Sequence, residues 1–314
     1  MDARFFNDAL GVTFDWYNRT TSDILTTANL PATLGADAPY ENMGTIQTKG
    51  WELAIDYRHT FKNGLHFGVT ASVADDKTEV TKWTYNTKIP SYGATGWWDK
   101  SAYKEGMVLG DIWGLQFDRF LTEDDFNADG SLKAGLPDQT KVFPAGYQFA
   151  PGDVLYKDLD NNGEIVKQTN TNDKGDLSVI GNALPRLQFG LNLDAAWKGF
   201  DISMFFQGVA KRKLWAAGNQ VLPGFTTGEP FYKGAEDYWT PENTDAFYPR
   251  PMDYKQSASG NYSVNDRYLL NMAYLRLKTF TVGYSLPKVW LSKFKVQGLR
   301  VYFTGENPFA PSTV

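Results

Sequence analysis

The sequence contains no cysteine, which excludes a disulfide scaffold, a thiolate zinc site and a cysteine nucleophile. Only two histidines occur, His59 and His66, so most histidine-based catalysis and metal ligation lack their usual residue. No stretch approaches the roughly 20 consecutive apolar residues of a membrane-spanning helix, and the mean hydropathy is −0.41. Charged residues are sparse at 21%, below the roughly one quarter usual in soluble domains. The net charge of −5 and pI of ≈ 5.2 argue against nucleic acid as a partner, because such surfaces are normally basic. No G-x-S-x-G elbow, Walker A loop or G-x-G-x-x-G fingerprint is present. Met1-Asp2-Ala3-Arg4 opens the chain without an apolar signal-peptide core, as expected of a cytoplasmic protein or of a piece of a longer one. What is abundant is aromatic: 10 Trp, 17 Tyr and 21 Phe make up 15% of 314 residues. Many rings and few charges suit a protein whose outer surface faces something other than water.

Period-two alternation dominates the chain. In residues 9–20, Leu10, Val12, Phe14 and Trp16 face one way, and Thr13, Asp15, Tyr17 and Arg19 the other. Residues 50–61 set Trp51, Leu53, Ile55, Tyr57 and Phe61 opposite Glu52, Asp56 and Arg58. Leu65, Phe67, Val69, Ala71 and Val73 continue the pattern, which returns at 187–197, 200–208 and 299–304. Turn chemistry tests these faces. Lys62-Asn63-Gly64 suits a three-residue hairpin loop with Gly in the left-handed position, pairing Tyr57 with Val69 and Ile55 with Ala71. Lys198-Gly199 suits a two-residue turn that pairs Ala195 with Ile202, Leu193 with Met204 and Leu191 with Phe206. In 275–286 the parity slips between Leu277 and Phe280. A β-bulge near Lys278-Thr279 and a strand starting only at Phe280 both explain the slip, and the bulge is preferred.

The connections alternate in length. Those at 62–64, 198–199 and 287–298 are short, whereas 21–44, 81–185 and 210–273 are long. Short turns at one end and long loops at the other are the layout of a transmembrane β-barrel with periplasmic turns and extracellular loops. The alternating segments match the 9–11 residues or so of a tilted barrel strand, and Trp16, Tyr57, Trp197 and Tyr284 at strand ends suit interfacial girdles. Residues 106–120 have no continuous apolar face. A single extra crossing there would reverse every later strand, so they are expected in a loop. The fold class is therefore all-β: an antiparallel up-and-down transmembrane β-barrel segment of about seven spanning strands, an incomplete barrel with long extracellular loops. The alternative is a secreted, calcium-braced β-sheet glycan-binding module that folds in water.

Several ordered segments resemble a known family. PGDVLYKDLDNNGEI (151–165), VIGNALPRLQFGLNLDAAWKGFDISMFFQG (179–208), LRLKTFTVGYSLP (275–287) and VYFTGEN (301–307) are similar to the C-terminal half of SusC/RagA-type TonB-dependent outer-membrane transporters. FDWYNRTTSDIL (14–25), LPATLG (30–35) and MGTIQTKGWELAI (43–55) resemble it too. The resemblance implies a bacterial outer-membrane location and a share in a barrel of about 22 strands with a plugged lumen. It also implies a SusD-like surface lipoprotein as lid, TonB as energy source, membrane lipid around the wall, and import of oligosaccharides or peptides. Against the family pattern, the signal sequence, TonB box, plug, early strands and final strand are expected to be missing from residues 1–314, so contact with TonB would lie outside this chain.

Candidate sites are few. Asp158, Asp160, Asn162, Gly163 and Glu164 follow the opening of an EF-hand-type calcium loop, with oxygen ligands at positions one, three and five and a backbone carbonyl at seven. Position twelve, normally a carboxylate, is Thr169, which leaves Asp173 or Asp176 to close the cage. A Ca²⁺ brace and a solvated Asx-rich turn stand as equal readings, and no cofactor is required. Trp97 and Trp98, with Tyr85, Tyr92 and Tyr103, form either a sugar-stacking platform or loop packing. The group Tyr238, Trp239, Phe247 and Tyr248 invites the same two readings. His59 and His66 fall on opposite faces and cannot share an ion. Glu123-Asp124-Asp125 after Thr122 reads as a capped helical turn, and an enzyme is not expected.

Overall fold

The structure is a computed structural model that describes residues 1–27, 39–84, 104–167, 174–224, 231–252 and 260–309. Its centre is one antiparallel sheet of eight strands whose spatial order follows the sequence. The strands are β1 (Asp2–Phe5), β2 (Leu10–Thr27), β3 (Tyr40–Thr60), β4 (His66–Trp83), β5 (Arg186–Trp197), β6 (Phe200–Lys211), β7 (Tyr274–Ser285) and β8 (Arg300–Phe309). Seven are long, as the alternation predicts. The eighth, β1, escapes sequence reading because DARF carries no alternation. Its pairing of Phe5 with Leu10 depends on Phe6, Asn7 and Asp8, all at positive φ.

Both hairpins close in the expected register. The Phe61 N–H donates to the Leu65 carbonyl at 2.8 Å, and Gly64 takes φ +82°. Tyr57 then lies opposite Val69 and Ile55 opposite Ala71. Across Lys198-Gly199, Leu193 faces Met204 and Leu191 faces Phe206. The register of β7 shifts between Leu277 and Thr279, and β6 records the same shift between Phe205 and Phe206, which puts the bulge at Lys278. One face of this sheet leaves Phe14, Trp16, Phe67, Trp197, Phe200, Val301 and Phe303 exposed. In water such a belt would be costly, whereas against hydrocarbon it is the surface a barrel wall needs.

Strands β2, β3 and β4 run to 18, 21 and 18 residues, well past the alternating segments. Beyond Arg19 the chain reads Thr20, Thr21, Ser22 and Asp23, polar on both parities. Backbone pairing continues there without a hydrophobic signature, as expected where a strand leaves the bilayer with water on both sides. The β4–β5 ladder stops at Ala74 opposite Gln188. At that point the Asp75 carboxylate accepts Arg186 Nη2 at 2.6 Å and the Leu187 N–H at 3.1 Å, with Leu187 at φ +50°. Further along, β4 takes residues 106–109 as its neighbour: the Val80 N–H donates to Met107 O and the Leu109 N–H to Thr78 O, both at 2.8 Å.

The long connections form the part of the molecule with a buried core. Leu115, Phe120, Val142, Phe143, Val154, Tyr156, Ile165 and Leu177 pack with Trp239 and Ala246, so the second and third long loops share one interior. Residues 106–120 lie here, outside the barrel sheet: Asp111–Gly114 pairs with Ser178–Asn182, and Phe117–Phe120 with Val154–Tyr156. The strand Val154–Tyr156 is buried throughout, so its free backbone groups need partners. Gln139 supplies them from the side, donating Nε2 to Val154 O at 2.8 Å and accepting the Tyr156 N–H at 3.2 Å. Asp153, fully buried, accepts Arg250 Nε and the Tyr147 hydroxyl at 2.8 Å and Asn261 Nδ2 and the Ala150 N–H at 2.9 Å. One carboxylate thereby fastens the second loop to the third.

Two predictions follow from these placements. Lysine at Val12, Leu53 or Leu193 puts a charge on the exposed apolar face at a cost of about 2–4 kcal/mol near the bilayer midplane. These variants should lose the heat-modifiable band of a folded barrel, whereas Asn192→Lys on the opposite face should keep it. Asp153→Ala leaves Arg250 without its ion pair, costing about 3–5 kcal/mol. Limited proteolysis should then cut the loop layer much faster, with heat-modifiability unchanged and Asp153→Asn intermediate.

Candidate functional site in the loop layer

The calcium-like segment folds as a tight acidic turn. Asp158 Oδ2 accepts the Gly163 N–H at 2.8 Å, Asp160 Oδ1 accepts the Asn162 N–H at 3.1 Å, and Asn162 Oδ1 accepts the Glu164 N–H at 2.8 Å. Gly163 takes φ +86° and Asn161 φ +59°, the left-handed conformations that let the chain reverse here. Ile165, the apolar residue two places after the Gly, is fully buried and anchors the turn in the loop core.

Asp176 enters this turn from beyond the polar insertion. It is fully buried and accepts the Leu159 N–H on one oxygen and the Val166 N–H on the other, each at 2.8 Å. One carboxylate oxygen from each of Asp158, Asp160 and Asp176 lies within 4.8 Å of the others. Backbone donation, led by the Gly163 N–H, holds Asp158 below the usual carboxylate range. Asp160 is raised instead, by desolvation first and then by the neighbouring Asp158 and Asp176 charges, against the Asn162 N–H. Three converging carboxylates, one of them destabilised by the other two, fit the chemistry of a hard divalent cation. Glu164 turns its carboxylate away to Lys141, consistent with a position where only the carbonyl is expected to serve. Thr169 and Asp173 lie outside the described residues, as do Trp97, Trp98, Tyr85, Tyr92 and Tyr103.

The aromatic group of the third loop divides between core and surface. Trp239 is buried, whereas Tyr238 and Phe247 are 40% and 42% exposed. Tyr238 and Tyr248, with Phe231, Tyr232 and Tyr262, line a cleft of about 370 Å³ whose charged groups are Lys233 and Glu236. Tyr248 stacks on Tyr268 with ring centroids 6.0 Å apart, which fixes one wall. The exposed rings of Phe231, Tyr232 and Tyr238, Pro249 and Pro251, and one charge of each sign meet in this cleft.

Other predicted residues occupy structural roles. His59 lies between Tyr57 and Phe61 on the apolar face, 6.4 and 4.6 Å from their rings. His66, on the other face, has Nε2 3.5 Å from Asp194 and Nδ1 3.1 Å from the Thr60 hydroxyl. The two share no site, as their parity predicts. Glu123–Asp125 is a short 3-10 turn in which Asp125 accepts the Thr122 N–H and two Arg119 donors. That bidentate pair lowers the Asp125 carboxyl to about 2 and leaves it structural.

Sequence reasoning missed Asp153 and Arg267. The Arg267 guanidinium carbon lies 4.4 Å from the Phe117 ring centroid and 5.0 Å from that of Phe120, and its donors reach the Phe247 and Ala246 carbonyls. The partners that set these two residues apart, Arg250 and Asn261 for Asp153 and Phe117 and Phe120 for Arg267, are distant in sequence.

No protein-family model matches the chain. Among characterised proteins, TonB-dependent receptor P3 of Formosa agariphila is 26% identical over 316 residues, covering 98% of this chain and 28% of the receptor. TonB-dependent receptor SusC of Bacteroides thetaiotaomicron is 22% identical over 318 residues, again covering 98% of this chain and 28% of its own length. The chain thus spans under a third of the curated relatives it matches. Among solved structures, the RagAB peptide importer in its open-open state superposes on all of this chain and 30% of its own with a TM-score of 0.69 at 18% identity, which speaks to the fold alone. From one end to the other, then, this chain is similar to a stretch of TonB-dependent receptors that include SusC, and it shares the fold of the matching part of the RagAB importer.

Proposed function

We propose that this chain supplies wall strands and outer loops to a TonB-dependent importer of oligosaccharides or peptides, with a SusD-like lipoprotein seated on the loop layer. The observation that carries the reading is a sheet with one apolar and one polar face, tight turns at one end and a folded loop layer at the other. An outward-facing cleft of exposed rings suits both the apolar faces of sugars and peptide side chains. Specificity between the two would reside in this layer and in the lid. No catalytic role is proposed.

The acidic turn supports a second element: Asp158, Asp160, Asn162 and Asp176, with the Glu164 carbonyl, hold a structural Ca²⁺ that braces the loop layer. The ion would offset most of the charge of three carboxylates and stiffen the turn that carries Ile165 into the core, with no part in the transport step itself.

Each element has its own test. Affinity purification from detergent-solubilised outer membranes, read by mass spectrometry, should return a stoichiometric SusD-like lipoprotein. A soluble, partnerless protein would overturn the importer reading in favour of the secreted module. For the cation, millimolar Ca²⁺ should slow protease cleavage within 158–176 of the purified protein several-fold, and a chelator should reverse it. Asp176→Asn should remove the Ca²⁺ response, while identical cleavage with and without Ca²⁺ in the unmodified protein would sink the brace.

A further inference from the structure

The three turns that join β3 to β4, β5 to β6 and β7 to β8 share a property that import does not use. They hold five lysines, Lys62, Lys198, Lys288, Lys293 and Lys295, and not one carboxylate. All five are exposed. Among the described residues none is held in an ion pair, although the protein as a whole carries −5. The fourth turn at this end, β1 to β2, carries the single carboxylate Asp8, so the turns opposite the loop layer still hold an excess of positive charge.

The third of these turns adds an apolar component. Lys288–Leu291 forms a helical turn and Ser292–Phe294 a 3-10 turn, closed by Lys295 at φ +56°. Leu291 is buried, while Val289, Trp290 and Val296 are 73%, 58% and 42% exposed. A turn built only to reconnect two strands has no need to present valine and tryptophan to solvent. The exposed side chains adjoin the apolar belt, since Leu299 and Val301 follow directly and are also exposed. At the neighbouring strand ends Phe200 packs on Tyr284 with centroids 4.5 Å apart, and Lys198 Nζ sits 4.5 Å from the Trp197 ring centroid. Aromatic rings at the edge of an apolar belt, with lysine stems extending past them, match the depth of lipid headgroups. Unpaired lysines in that layer are attracted by lipid phosphates without a compensating positive charge.

We propose that this rim is a binding surface for anionic phospholipid in the periplasmic leaflet. The five lysines engage the headgroups, and Val289, Trp290 and Val296 enter the acyl boundary. The inference rests on the membrane-spanning wall and stands apart from the identity of the imported substrate.

The test uses the protein extracted from outer membranes and returned to vesicles of phosphatidylcholine alone or mixed with phosphatidylglycerol. Native mass spectrometry of the released protein counts retained lipid, and heat-modifiability reports the fold independently. Phosphatidylglycerol should be retained about tenfold over phosphatidylcholine, a preference that weakens as salt is raised. The triple variant Lys288→Gln, Lys293→Gln, Lys295→Gln should lower the preference to near one with the fold intact. Trp290→Ala should weaken retention of both lipids alike. An unaltered preference in the triple variant, or none in the unmodified protein, overturns the proposal. Should the triple variant not fold, Lys62→Gln with Lys198→Gln must reduce the preference, and salt must abolish it in the unmodified protein. Failure to insert into any vesicle would instead indict the barrel reading itself.

Discussion

A backbone that crosses hydrocarbon finds no water for its N–H and C=O groups, so each strand must satisfy them through its neighbours. Most features of this chain answer to that constraint. Consecutive strands pair in sequence order, whether a short turn or a long loop joins them. The two faces of each strand meet different surroundings, and alternation of apolar and polar side chains follows. Where the wall stops matching strand to strand, Asp75 and Arg186 meet and the Asp75 carboxylate takes over from the missing ladder at Leu187.

Outside the bilayer the same backbone faces water, and a different solution applies. The loop layer buries apolar side chains as any small domain does, and it also buries polar groups whose partners come from distant segments. Gln139 acts as a surrogate strand edge, Asp153 joins four donors, and Arg267 spreads its charge over three rings. Asp153 and Arg267 join segments from both sides of the β5–β6 hairpin, and Gln139 binds the strand Val154–Tyr156 within the second loop. The loop layer is thus cross-fastened around the open cleft and the acidic turn.

The wall was legible in the sequence because period-two alternation and turn residues are local signals. The Gly64 and Gly199 turns, the Leu193–Met204 pairing and the Lys278 bulge could all be placed from side-chain parity. The outer halves of β2, β3 and β4 were not, since polar residues on both parities there leave no hydrophobic period, and β1 was too short to show one. In the acidic turn the four candidate positions Asp158, Asp160, Asn162 and Glu164 were readable from the motif. Asp176 could be offered only as one of two candidates, because an insertion of unknown path separates it from the motif. Asp153 and Arg267 carry no local signature at all: what makes them matter is a set of partners that only the folded loops assemble.

The attachment of residues 106–109 to β4 has a mechanical consequence. These residues run antiparallel to β4, and bonds in an antiparallel ladder lie perpendicular to the strands. A pull along the strand axis loads all of them together in shear. A pull at right angles opens them one after another from the free end, at far lower force. This attachment is therefore stiff toward displacement along β4 and compliant toward peeling away from it, with its easy direction set by the backbone.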